Sequence, residues 1–204
     1  MTFGLVKHNN NSISAITSGG SLGTGKMVLL QTQNASSSSS ISFTSNIDST
    51  YSVYIFKYIN MHPSGDSKQF KFQADTGTNT NYNLNMVTTT FENYNDESDT
   101  SRTLHYQTGN DQSNGTSFSH LGISVGNDND QSVSGELYVF APSSSTFNKN
   151  FFSRSSSYTS NDHCYDFYSS GYFNTSTPIT RFNFKYDGDT IDSGTIKLYG
   201  LQAS

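Results

Sequence analysis

The chain has 204 residues and a formal charge of -5, and only 13% of its residues are charged, with Ser, Thr, Asn and Gly taking the missing share. Its 13 Tyr and 15 Phe argue against a disordered chain, because disordered segments are poor in aromatic rings. Eleven Lys and Arg scattered singly among sixteen acids form no basic stripe, which argues against phosphate-driven nucleic-acid binding. The longest aliphatic run, Met27 to Leu30, is too short to cross a bilayer.

Residues 1–40 read as a polar N-terminal arm with one embedded strand, Met27 to Gln33, followed by the serines Ser36 to Ser40. The opening MTFGLVKHNNNS has no apolar signal-peptide core, so ordinary export is not expected. A single cysteine, Cys164, has no internal partner, which fits synthesis in a cytosol and a fold held by packing alone. Residues 41–204 read as one domain, a length that suits a single all-β unit.

Within it, Tyr51 to Ile59 sets Tyr54, Phe56 and Tyr58 against Tyr51, Val53, Ile55 and Ile59 on opposite faces of an extended strand. A strand apolar on both sides is expected at the centre of a packed sheet, covered above and below. His62 to Asp66 turns the chain, and Phe70, Phe72 and Ala74 then alternate with polar neighbours. Strands follow at Leu84 to Phe91, Arg102 to Gln107, Ser117 to Val125 and Ser132 to Ala141, with Glu92 to Ser101 read as an acidic loop. Phe147 to Phe152 offers a short strand and Ser153 to Asp162 a loop. The aromatic group from Tyr165 to Phe173 is expected to pack under a strand or loop. Thr180 to Tyr186 places Phe182, Phe184 and Tyr186 inward, and Thr195 to Leu201 closes the chain.

Two segments echo each other, Ser134 to Ala141 and Ser193 to Gly200, each a Ser-Gly turn leading into an apolar strand. Two central strands starting from similar turns account for the echo without duplication. About eight to eleven strands with turn signals every ten or so residues predict an all-β fold. The expected architecture is an antiparallel β-sandwich, jelly-roll-like, with the N-terminal arm extended from it.

Several stretches resemble chemical motifs. Gly19 to Gly23 has nucleophile-elbow spacing but lacks the strand and helix that expose the serine. Gly20 to Lys26 has phosphate-loop spacing, but Met27 stands where Ser or Thr should hold magnesium. The histidines His8, His62, His105, His120 and His163 share no ligand spacing, and Cys164 beside His163 reads as a buried thiol next to a surface histidine. Asn127 to Asp130 supplies oxygens that suit either calcium or the turn's own backbone. Glu92, Asp96, Glu97 and Asp99 can be read as a glycosidase pair or as a solvated loop. Asn10, Asn34, Asn114 and Asn174 fit glycosylation sequons, as chance allows in so Ser/Thr/Asn-rich a chain. No catalytic residue, cofactor or metal site is assigned, and the chain is not expected to be an enzyme.

SFTSNIDSTYSVYIFKYINMHP, GNDNDQSVSGELYVFAPSSST, GYFNTSTPI and the closing GTIKLYGL resemble, in that order, a family of small virion structural proteins of tailed bacteriophages. These are described as tail-fibre-like or structural, and the resemblance runs from about Ile41 to Leu201. It implies a β-rich, non-catalytic particle component, made in the host cytoplasm and displayed on the virion as capsid decoration or tail fibre. A homotrimer docked on other virion proteins is the expected assembly. A glycan-binding receptor module, with aromatic loops stacking on host sugars, is the alternative. Neither nucleic acid nor membrane is an expected partner.

Overall fold

The computed structural model describes residues 26–201. It is all-β, two antiparallel sheets packed face to face as a β-sandwich. In chain order the strands are β1 (Met27–Ser38), β2 (Ile41–Phe43), β3 (Val53–Pro63), β4 (Lys68–Asp75), β5 (Met86–Asp96) and β6 (Arg102–Tyr106). After them come β7 (Ser113–Gly115), β8 (Ser119–Val125), β9 (Val133–Phe140), β10 (Lys149–Tyr158), β11 (His163–Phe173), β12 (Arg181–Tyr186) and β13 (Ile191–Leu201). The larger sheet has nine strands in the order β1-β13-β3-β9-β10-β11-β5-β6, with β7 also pairing β5, and the smaller runs β2-β12-β4-β8. No helix among the described residues is long and apolar enough to cross a membrane.

The core is built from rings where aliphatic residues are scarce. Phe56, on β3 of the large sheet, lies 5.2 Å from Phe43, 4.9 Å from Phe182 and 5.1 Å from Phe184, all on the small sheet. Phe72 meets Phe151 at 5.2 Å, and Tyr58 meets Phe70 at 5.4 Å, so aromatic contacts span the two layers along its length. Buried phenols keep a partner: Tyr186 Oη donates to the Met61 carbonyl at 2.8 Å, and Tyr58 Oη pairs with Ser155 Oγ. Phe70, Phe72, Ala74, Phe182, Phe184 and Tyr186 all face inward, as their alternation predicts.

β3 is central, flanked by β13 and β9, but only one of its faces is covered by the second layer. Tyr54, Phe56 and Tyr58 are buried, whereas Ile59 on the other face is 42% exposed. Ile55 is buried there because Tyr138 and Tyr199 stand beside it on the neighbouring strands. The echoing segments are β9 and β13, the two partners of β3. Gly194 takes φ +131, and at Gly135 a Cβ would stand 2.8 Å from both Tyr58 Oη and Ser155 Cα while running into the Arg154 carbonyl. Gly135→Ala is therefore expected to cost about 1–3 kcal/mol by overpacking. Thermal denaturation reads this directly, and an unchanged midpoint would mean that β9 and β10 part freely.

Several expected boundaries move. β1 runs on through Ser36 and Ser37 to Ser38, pairing with β13 from Met27↔Leu201 to Ser38↔Ile191. Residues 1–25 of the expected arm lie outside the described residues. Glu92 to Asp96, read as loop, continue β5, because β11 and β6 take up its backbone groups on either side. Ser153 to Tyr158, also read as loop, form most of β10, held between β9 and β11. Ser153, Ser155 and Ser157 point inward and are buried, so hydroxyls occupy positions that a strand pattern reserves for apolar side chains. The aromatic group from Tyr165 to Phe173 is itself strand β11, with Phe167 and Phe173 inward and Tyr168 and Tyr172 on the outer face.

Candidate functional site

Outward positions of an antiparallel sheet are ordinarily polar where they meet water. The small sheet obeys this. Its outer face carries Gln69, Lys71, Asn183 and Lys185, with Lys71 Nζ donating to Asp187 Oδ2 at 2.8 Å.

The large sheet does not. In register across β1, β13, β3, β9 and β10 stand Leu29, Tyr199, Ile55, Tyr138 and Phe152. The neighbouring row holds Met27, Leu201, Val53 and Phe140. On the other side a mixed row runs Lys197, Lys57, Glu136, Arg154, Tyr168, Phe91 and ends at Tyr106. Leu29 is 51% exposed and Leu104, near that far end, 71%. All the large hydrophobic side chains exposed among the described residues, Phe147 apart, lie on this one face.

None of the family models, curated proteins or solved structures compared with the chain matches it.

The rings on the face are ordered in pairs. Tyr138 and Phe152 stack at 4.7 Å with planes 13° apart, and Phe91 and Tyr168 at 4.5 Å and 7°. Between the pairs lies a groove of about 230 Å³ whose floor is Thr89 and Ser170. Arg154 closes one end. Its guanidinium carbon sits 5.0 Å above the Tyr168 ring, and its Nε and Nη2 each donate to Asp166 at 3.0 Å. Glu136 is paired with Lys57 at 3.2 Å. A broader hollow of about 610 Å³ opens further along the face, lined by Asn95, Glu97, Ser134, Tyr158, Asp162 and Cys164. There the Tyr158 hydroxyl lies 2.9 Å from Glu97 Oε1 and 3.2 Å from Asp162 Oδ1. The hydrogen bond to Glu97, with Asp162 beside it, holds the phenol proton on well above the usual range.

The four acids of the expected loop go to four different places. Glu92 is buried on the inner face of β5, where Gln107 Nε2 donates to its Oε1 at 2.5 Å and His105 lies 3.3 Å away. Burial raises its pKa against both partners, and its Oε2 has no hydrogen-bond partner among the described residues. Asp96 accepts from the Ser101 and Thr100 backbones and the Ser98 and Thr100 hydroxyls, which hold its carboxyl well below the usual carboxylate range. Glu97 meets Tyr158, and Asp99 takes Arg102 at 2.6 Å.

The remaining candidates are dispersed. His62 Nδ1 is 2.7 Å from the Gln131 carbonyl, and His163 stacks on Tyr94 at 5.0 Å. Cys164 is exposed on the outer face, not buried, because β11 sets His163 toward the inner face and its neighbour outward. Asn127 to Asp130 form a turn in which the Gln131 N–H donates to the Asp128 carbonyl at 2.9 Å. Among the described residues no group of three or more His, Cys, Asp or Glu gathers as for a metal ion. Asn114 and Asn174 bond each other at 2.9 Å. His8, Asn10 and Gly19 to Gly25 lie outside the described residues.

Sequence reasoning missed the outer face as a site. The signal was present in Tyr138, Phe140 and Phe152, which alternate out of phase with the core residues Leu137, Val139 and Phe151. Only the register shows that these second faces line up.

Proposed function

We propose that this chain is a non-enzymatic structural protein displayed on the surface of a bacteriophage particle. It acts as capsid decoration or as a tail or fibre component, by self-association and by docking to other virion proteins. What carries the reading is the outer-face apolar row Leu29, Tyr199, Ile55, Tyr138 and Phe152, exposed at Leu29 and Phe152 with Ile55 buried between the two tyrosines, and backed by Met27, Leu201, Val53 and Phe140. A contiguous apolar surface on one side only, rimmed by charge of both signs, is the form of a protein interaction site. The adjacent row, with Lys57 and Glu136 paired and Arg154 beside them, supplies positive and negative groups that a second copy can meet with its own. The opposite face, on the small sheet, is polar: Lys71 and Lys185 reach water there, while Gln73 is buried and donates to the Leu84, Thr116 and Ser117 carbonyls of the loops over it.

The expected assembly is a homotrimer, and sedimentation equilibrium should give three times the chain mass. Leu29→Asp and Phe140→Asp each put a charge into the apolar rows at a partly exposed position. Each is expected to weaken association at least about tenfold with the circular dichroism unchanged. Trimers that survive both changes would remove the interface from this face. Gold-labelled antibody against the protein should decorate purified particles, and particles that never label would end the virion reading.

A further inference from the structure

The groove between the two ring pairs has a construction that self-association does not call for. One wall is Phe152, braced from behind by Tyr138, and the other is the Tyr168–Phe91 stack. Side chains on a sheet stand roughly perpendicular to it, so the rings rise as walls. Phe152 and Phe91 are two strands apart, β10 to β5, which separates their backbones by roughly 10 Å. The floor is hydroxyl: Ser170, able to donate and to accept, and Thr89, which donates to Tyr106 Oη at 3.4 Å and keeps its lone pairs for a ligand. Glu136 and Arg154 stand at the end.

Arg154 is held in place twice, by its fork on Asp166 and by the Tyr168 ring beneath it. Its Nη1 hydrogens have no partner among the described residues. Such a donor enters a complex with its side-chain freedom already lost. The carboxylate at Asp166 offsets its charge, which disfavours a phosphate or sulfate ligand.

The geometry points to a binding site for one pyranose ring of a neutral glycan. A sugar ring carries an apolar C–H face that packs on an aromatic wall and an equatorial rim of hydroxyls that needs donors and acceptors close by. The groove offers both within one side chain's reach. A purely apolar ligand would leave the Ser170 and Thr89 hydroxyls dry, at a cost. The volume of about 230 Å³ is below that of pockets for drug-sized ligands, roughly 300–1,000 Å³, and suits a single ring. Glu136 accepts from a sugar hydroxyl, and Arg154 Nη1 donates to one. The inference goes beyond the structural role and does not rest on it; because Phe152, Glu136 and Arg154 also stand in the rows proposed for self-association, a sugar and a second copy compete for this end of the face.

The test is saturation-transfer NMR on the full chain with the methyl pyranosides of glucose, galactose, mannose and N-acetylglucosamine at millimolar concentration. At least one should receive saturation on its ring C–H protons. Phe152→Ala, a change at a partly exposed ring, should weaken that sugar about five- to tenfold by loss of the stacking wall. Ser170→Tyr should abolish binding by filling the floor, with circular dichroism confirming that both variants fold. Leu29→Asp, away from the groove, should not weaken sugar binding even where it breaks the oligomer. No transfer to any of the four sugars would overturn the proposal. So would groove variants that change only the sedimenting mass, since a second copy would then be the occupant.

Discussion

Phe56→Ala is expected to remove about 3–5 kcal/mol of stability, a large part of the 5–15 kcal/mol that holds a domain folded. Phe56 is fully buried and is the ring on which both layers meet, with Phe43, Phe182 and Phe184 of the small sheet all within 5.2 Å. Its removal loses the transfer free energy of the ring and leaves a cavity. Rings held in edge and tilted contacts by two sheets cannot close it without breaking their own packing. Urea denaturation should show a lower midpoint with the slope preserved. Phe152→Ala, 42% exposed on the outer face, is the control and should cost far less. A loss below about 1 kcal/mol at Phe56 would mean that the layers collapse onto the gap.

Acid should destabilise the protein through His120. Its Nε2 lies 2.9 Å from Gln69 Oε1, an acceptor, so the proton sits on Nε2 and the neutral ring has a bare Nδ1. That nitrogen is buried and has no hydrogen-bond partner among the described residues. Burial, and then the Lys71 charge, lower the pKa to about 4 against the opposing pull of Asp187. The unfolded chain takes up the proton near 6.5 and the folded one only near 4. The contribution is therefore complete above pH 6.5 and lost as pH falls from there to 4. The shift corresponds to about 3 kcal/mol. Stability of the wild type minus that of His120→Gln, measured by urea between pH 7 and pH 4, should fall by about that amount. A flat difference would show that the folded protein titrates His120 normally.

Much of the fold was legible because alternation reports burial wherever one face of a strand is apolar. Phe70 to Ala74 and Phe182 to Tyr186 identify themselves in this way. β10 hides because its inward residues are serines, and hydroxyls carry the same signal in a strand as in a loop. Glu92 and Asp96 read as loop because charge normally marks exposure, yet Glu92 is buried beside Gln107 and His105 on neighbouring chain segments. Neither partner is close enough in sequence to be inferred. The outer face was legible residue by residue and invisible as a surface. Tyr199, Ile55 and Tyr138 become neighbours only through pairings that join positions more than fifty residues apart.

The placement of β13 between β1 and β3 has a consequence for how the chain is made. Among the described residues β1 pairs with no strand but β13, and β3 lacks one of its two neighbours until residues 191–201 arrive. A nascent chain halted before Ile191 thus holds its earliest described strand unpaired and the centre of the large sheet open on one edge. Final closure waits for translation to reach β13, so chains cut short there stay open and sticky, ready prey for proteases before they can enter an assembly.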